Sequence, residues 1–174
     1  AMIVGLDGVP FTMLQELRGK GKIPNMASIF GEGYLGKMEV CIPEISSVSW
    51  SSFMTGTQSG EHDIYGFIDL EPGTYKMFFP NYHHLKAPAM WDDLSAAGKK
   101  TVVINMPATY PARELNGGMV SGFVALDINK AVYPPDFIPQ LNQMGYRIDI
   151  DTIKARNDHD LLFRELDETL AARE

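Results

Sequence analysis

Cysteine is almost missing: Cys41 stands alone among 174 residues. An internal disulfide is therefore excluded, and this usage fits a reducing compartment, with the cytoplasm as the expected location. No run approaches the roughly 18 apolar residues of a membrane span. The opening AMIVGLDG has no basic segment followed by an apolar one, so it does not read as a signal peptide. Basic residues are in deficit, with 15 Lys and Arg against 22 Asp and Glu and a net charge of -7. That balance speaks against a broad footprint for a nucleic-acid polymer or an anionic membrane surface and leaves room only for a local basic pocket. Internal repeats and low-complexity segments are also lacking. With 45% hydrophobic residues, the chain is expected to be one globular domain able to bury its own core.

What is present alternates between strand and helix signals. Met2 to Leu6 is a short, partly β-branched run stopped by Asp7-Gly8, read as a buried strand that delivers Asp7 to its carboxyl end. Open α/β sheets place ligands there. Pro10 suits a helix start, and Phe11, Leu14 and Leu17 recur at helical spacing until Gly19 and Gly21. Further helices are predicted over Asn25 to Phe30, from Ser46 or Ser47 to Gly56, over Met90 to Ala97, Asp136 to Met144 and Asp158 to Arg173. Strands are predicted over Tyr34 to Val40, Thr101 to Met106, Met119 to Phe123 and Tyr146 to Ile150, with TVVINM placed centrally in a parallel sheet. Residues 57–89, rich in Gly, Pro, Asn, His and aromatics, have no sustained period and read as a long surface excursion of the kind that often carries substrate contacts. The last helix has no Gly or Pro stop and an apolar face, Leu162, Leu166 and Leu170, still in need of a partner. More chain is expected to follow it in the parent protein.

The chemistry concentrates in Pro43 to Phe67, PEISSVSWSSFMTGTQSGEHDIYGF, where five serines precede Thr55-Gly56. Serine at a helix start commonly accepts a backbone hydrogen bond, and Ser46 and Ser47 can be read as caps and nothing more. The chemical alternative uses the same location. Amide N–H groups and the positive end of the helix dipole attract a phosphate oxygen, so a hydroxyl there faces phosphorus. Such a hydroxyl needs a base or a metal to lower its pKa before it attacks, and an aspartate at a strand end can hold that metal.

These residues resemble the alkaline phosphatase superfamily and, within it, the type I phosphodiesterase/nucleotide pyrophosphatase group. IVGLDG looks like the superfamily's first strand, whose aspartate binds metal, which gives Asp7 that role. The superfamily nucleophile lies nine residues before the threonine of the Thr-Gly helix end, and counting back from Thr55 gives Ser46. GEHDIYGF, residues 60–67, resembles the Pro/Gly-x-His-Gly-Ile stretch that follows, with Asp63 where glycine is commoner. INMPATYPARELNGGMVSGF, residues 104–123, is similar to a bacterial and archaeal branch. The resemblance covers about residues 2–150 and implies an α/β fold with a mostly parallel central sheet and helices on both faces, here an incomplete domain.

Two departures limit the transfer. Threonine is the usual nucleophile of the nucleotide pyrophosphatases, and Ser46 is its chemical equivalent. Their phosphoryl-binding asparagine three residues on is Ser49 here, which can donate one hydrogen bond. With Ser47 it makes the expected substrate-binding pair. Sulfatases of the superfamily modify a Cys/Ser-x-Pro-x-Arg motif, which Cys41-Ile42-Pro43-Glu44-Ile45 only begins. Cys41 lies five residues ahead of the nucleophile position and Ile45 replaces the arginine, so Cys41 reads as a small packing residue.

The resemblance further implies divalent metal ions, two zinc ions with manganese or magnesium as substitutes, held by an Asp-x-x-x-His, an Asp-His pair and a further histidine. None of His62, His83, His84 and His159 has an aspartate four residues before it. Asp158-His159 is an Asp-His pair, but within Asn157-Asp158-His159-Asp160 it reads as a helix cap. His83 and His84 either touch substrate phosphate or are solvated. Asp7 and Ser46 are thus expected to be half of a metal site whose other ligands lie outside the chain. The expected activity is hydrolysis of phosphodiester or pyrophosphate bonds in a phosphate-ester small molecule, through a phosphoseryl intermediate. Phosphomonoesterase or phosphotransferase chemistry, or a non-catalytic anion-binding module, are the alternatives.

Overall fold

The computed structural model describes residues 1–150 and 158–173, which form two compact units, Ala1–Val40 and Cys41–Glu174. Asn157, in the run ahead of the last helix, lies outside the described residues.

The first unit holds two helices, α1 (Phe11–Gly19) and α2 (Pro24–Glu32). Pro10 caps the first and Pro24 opens the second, where a missing N–H costs nothing. Neither helix contains a buried residue. The expected strands Met2 to Leu6 and Tyr34 to Val40 are not formed. A strand exists only as part of a ladder, and this unit contains no strand for either run to pair with. Their apolar side chains are exposed, among them Met2 at 87% and Tyr34 at 92%.

The second unit begins with α3 (Ser46–Thr55) and the single turn α4 (Ser59–His62). A two-stranded antiparallel hairpin follows, β1 (Asp69–Leu70) with β2 (Met77–Phe78), then a 3-10 turn at Tyr82–His84 and α5 (Met90–Ala96). Its main sheet has three strands in the order β3 (Thr101–Met106), β4 (Gly117–Ser121), β5 (Val132–Tyr133). β3 and β4 run parallel, and β4 and β5 antiparallel. Between β4 and β5 lies α6 (Ile128–Ala131). After β5 come a 3-10 turn at Pro135–Phe137, α7 (Ile138–Gln143) and α8 (His159–Ala171).

The fold is mixed α/β with small sheets, and a large parallel sheet does not form among the described residues. TVVINM is a strand as expected, but it lies at the sheet edge with Val102 and Ile104 exposed on one face, and the central strand is β4. β4 earns that place because Met119 joins one hydrophobic cluster and Val120 the other, so the strand is buried on both faces. The expected helix from Asp136 to Met144 is split into the 3-10 turn and α7. Tyr146 to Ile150 is not a strand. Tyr146 enters the core, the Ile148 carbonyl accepts from Arg173 just past α8 at 2.7 Å, and the Arg147 side chain pairs with Glu165 of α8 at 2.6 Å. The larger cluster, with Met54, Ile64, Tyr82, Trp91, Val103 and Met119, fixes α3 and the 57–89 stretch against the sheet.

Candidate functional site

Ser46 is the first residue of α3 and is half-buried. The residue that caps the helix is Ile45, in extended conformation, and no side chain supplies a cap bond. Ser46 and Ser47 are therefore not N-caps, which sets aside the simplest structural explanation of the serine run. The first intrahelical bond is Ser49 N–H to the Ile45 carbonyl at 2.9 Å. The amino end thus carries the positive end of the dipole, and its capping residue Ile45 supplies no side-chain bond.

At the other end Gly56 adopts φ 68 and its N–H donates to the Ser52 carbonyl at 2.8 Å, a left-handed stop that favours glycine. Thr55 Oγ1 donates to the Ser51 carbonyl at 2.7 Å and accepts from the Thr57 hydroxyl at 2.9 Å. Thr-Gly is thus a real helix terminus, and the nine-residue interval back to Ser46 is one complete helix. Ser49 is half-buried. Ser47 is 5% exposed, and its hydroxyl and that of Ser51 are enclosed without a hydrogen-bond partner among the described residues. Asp7 sits in a turn of the first unit and is exposed.

His62, the histidine of GEHDIYGF and one of the four that fail the metal pattern, is wholly buried. Nδ1 accepts the Ile64 backbone N–H at 3.1 Å, so the proton of the neutral ring is on Nε2, which donates to Ser52 Oγ at 3.0 Å. Neither nitrogen is left for a metal. Burial pushes the imidazole below 6.5, against smaller upward pulls from its backbone hydrogen bond, Asp63 and Glu61. His84 is likewise engaged, Nδ1 accepting the Asn81 N–H at 3.1 Å while its ring packs on Phe78 at 4.8 Å. Asp158 caps α8 by accepting from Leu161 N–H at 2.9 Å, as its place in the sequence predicted. Cys41 is half-buried and free.

A cleft of about 350 Å³ opens between the hairpin and the 3-10 turn, lined by Glu71, Pro72, Phe78, Phe79, Asn81 and His84. Ser46, Ser47 and Ser49 do not line it. Below it the core is tied by Trp91 Nε1–H donating to the Tyr82 hydroxyl at 2.7 Å, with the Arg113 guanidinium 3.8 Å from the Tyr82 ring centre. Sequence reasoning did not single out these three residues, since nothing in their local pattern differs from ordinary core or surface positions.

Among the described residues no three His, Cys, Asp or Glu side chains gather closely enough to hold a metal ion. The residues present do not by themselves fit a two-ion centre. No helix of the described residues is long and apolar enough to cross a membrane. A family model described as type I phosphodiesterase / nucleotide pyrophosphatase matches residues 1–171. No curated protein and no solved structure matches the chain.

Proposed function

The chain belongs to the type I phosphodiesterase/nucleotide pyrophosphatase family, and from that premise we propose that it is the amino-terminal portion of a hydrolase of phosphodiester or pyrophosphate bonds with Ser46 as nucleophile. The family acts on phosphate esters and is generally metal-dependent. One observation carries the assignment of Ser46: it opens a helix with no side-chain cap, and that helix ends at the Thr55-Gly56 stop. In this reading Ser46 Oγ forms the bond to phosphorus as the bond to the leaving oxygen breaks. Water then cleaves the phosphoseryl ester and restores the hydroxyl. Ser47 and Ser49 donate to phosphoryl oxygens, and the enclosed, unpaired Ser47 hydroxyl is a donor that a bound oxygen would satisfy.

Asp7 is proposed as a ligand of the divalent ions, two zinc ions or manganese or magnesium in their place. Its fellow ligands are proposed to lie outside the described residues, which contain no cluster of three donors. Residues 1–174 then form part of an alkaline phosphatase-like domain with a larger, mostly parallel sheet. The complete protein supplied with zinc or manganese is expected to turn over bis-p-nitrophenyl phosphate, and Ser46→Ala to lower kcat by roughly 10³-fold or more. Residues 1–174 alone are expected to show little turnover. Robust metal-dependent turnover by the isolated chain, abolished by Ser46→Ala, would overturn the incomplete-site reading.

The start of α3, without a side-chain cap, also supports a second reading, a non-catalytic module that binds anions there. A complete protein without bound metal, and unaffected by Asp7→Asn, would establish that alternative. Phosphomonoesterase and phosphotransferase chemistry would use the same two residues, and assays with mono- and diester substrates separate them.

A further inference from the structure

Among the described residues, His62 is the one buried histidine. It joins three segments. Its Nε2–H reaches Ser52 in the second turn of α3, its Nδ1 accepts from Ile64, and its carbonyl accepts the Lys86 N–H at 3.1 Å. We propose that His62 is a positioning residue for α3, a latch that holds the helix while neutral and releases it on protonation.

The reason is a count of lone pairs. An imidazolium has no acceptor at Nδ1, so a proton there opposes the Ile64 N–H and leaves it without a partner in a buried place. The groups around the ring do not make good the loss. From its own turn it meets Glu61 and Asp63, and from α3 an uncharged hydroxyl, Ser52. Lys86 adds a positive charge on the third side and already pairs with Asp63 at 2.7 Å, which weakens the help that acid can give. Desolvation outweighs the acids, so the folded ring binds its proton less readily than the unfolded one. The latch is therefore fully set above the unfolded value of 6.5 and is lost as pH falls through the lower folded-state value.

The latch stands on its own hydrogen bonds. Only its consequence, a loss of Ser46 alignment in acid, rests on the nucleophile reading above. Its test needs no turnover, so the failure of one does not imply the failure of the other.

Amide exchange of the full chain, corrected for intrinsic rates and followed together with imidazole nitrogen resonances from pH 8 to 5, reads the latch directly. The neutral ring is expected to carry its proton on Nε2. Opening at Ile64 and in α3 is expected to rise by up to roughly tenfold per pH unit across the His62 titration, the limit for one linked proton. β4 amides are expected to stay better protected than those of α3 at every pH. His62→Gln keeps a neutral donor and should abolish the pH dependence. The proposal is overturned by flat α3 protection through the titration, by the same dependence in H62Q, or by α3 and β4 opening with equal free energies throughout, which would mean that α3 is not released separately. Should H62Q fail to fold, Ser52→Ala decides: α3 protection at pH 8 should drop toward the wild-type acid level, and an unchanged value overturns the latch.

Discussion

Asp63 shows what a single residue can carry. It stands where glycine is commoner in the related stretch, and its φ of 64 explains the preference, since it closes α4 in the left-handed region. Aspartate is among the side chains that tolerate this conformation, and here it also pairs with Lys86 at the surface, an interaction of little net worth. Asp63→Gly is therefore expected to change stability by no more than about 0.5 kcal/mol. Asp63→Val, β-branched at positive φ, should lose about 1–2 kcal/mol by chemical denaturation. A loss in the glycine variant as large as in the valine variant would shift the importance to the ion pair. At this scale the candidate nucleophile was legible because a helix end has a chemical signature in Thr-Gly. The part played by His62 was not, because a buried imidazole and a solvated one look alike in a string of letters, and only the fold brings Ser52 and the Ile64 amide to its two nitrogens.

The elements were legible to different degrees. α1, α2, α3 and α5 fall close to their predicted bounds, as at Pro10 and Thr55-Gly56, since local chemistry sets helix ends. Strands depend on partners, and sequence placed TVVINM at the sheet centre when it is at the edge. Nor did periodicity show the irregular step at Asn105, where φ is 56 and the β3–β4 register shifts between Ile104 and Met106. The closeness of these two strands does have a sequence trace in Gly117 and Gly122. A Cβ on Gly117 would stand 1.9 Å from the Thr101 carbonyl oxygen, and one on Gly122 2.5 Å from that of Asn105. Gly117→Ala and Gly122→Ala are each expected to lose about 2–4 kcal/mol, because backbone cannot step aside as a flexible side chain can. Gly60→Ala, in open space within α4, should instead gain up to about 1 kcal/mol. Equal effects at the three glycines in urea titrations would refute the close-packing account.

For the whole molecule, the division into two units leads to an unequal stability. α1 and α2 bury no residue, whereas β4 is buried at four of its five positions. Amides of α1 and α2 are expected to exchange faster than those of β4 by at least about 100-fold, a gap that native-state exchange measures and that equal rates would contradict. The sequence by itself determined the family, the α/β alternation, most helix limits and the candidacy of Asp7 and Ser46, because each depends on residues close together in the chain. Tertiary structure alone decided which strand is central, that Met2 to Leu6 and Tyr34 to Val40 lack ladder partners in their unit, that α3 begins uncapped, and that His62 is locked between Ser52 and Ile64. Pairing, burial and proton placement are set by groups far apart in the chain, and local pattern carries no record of them.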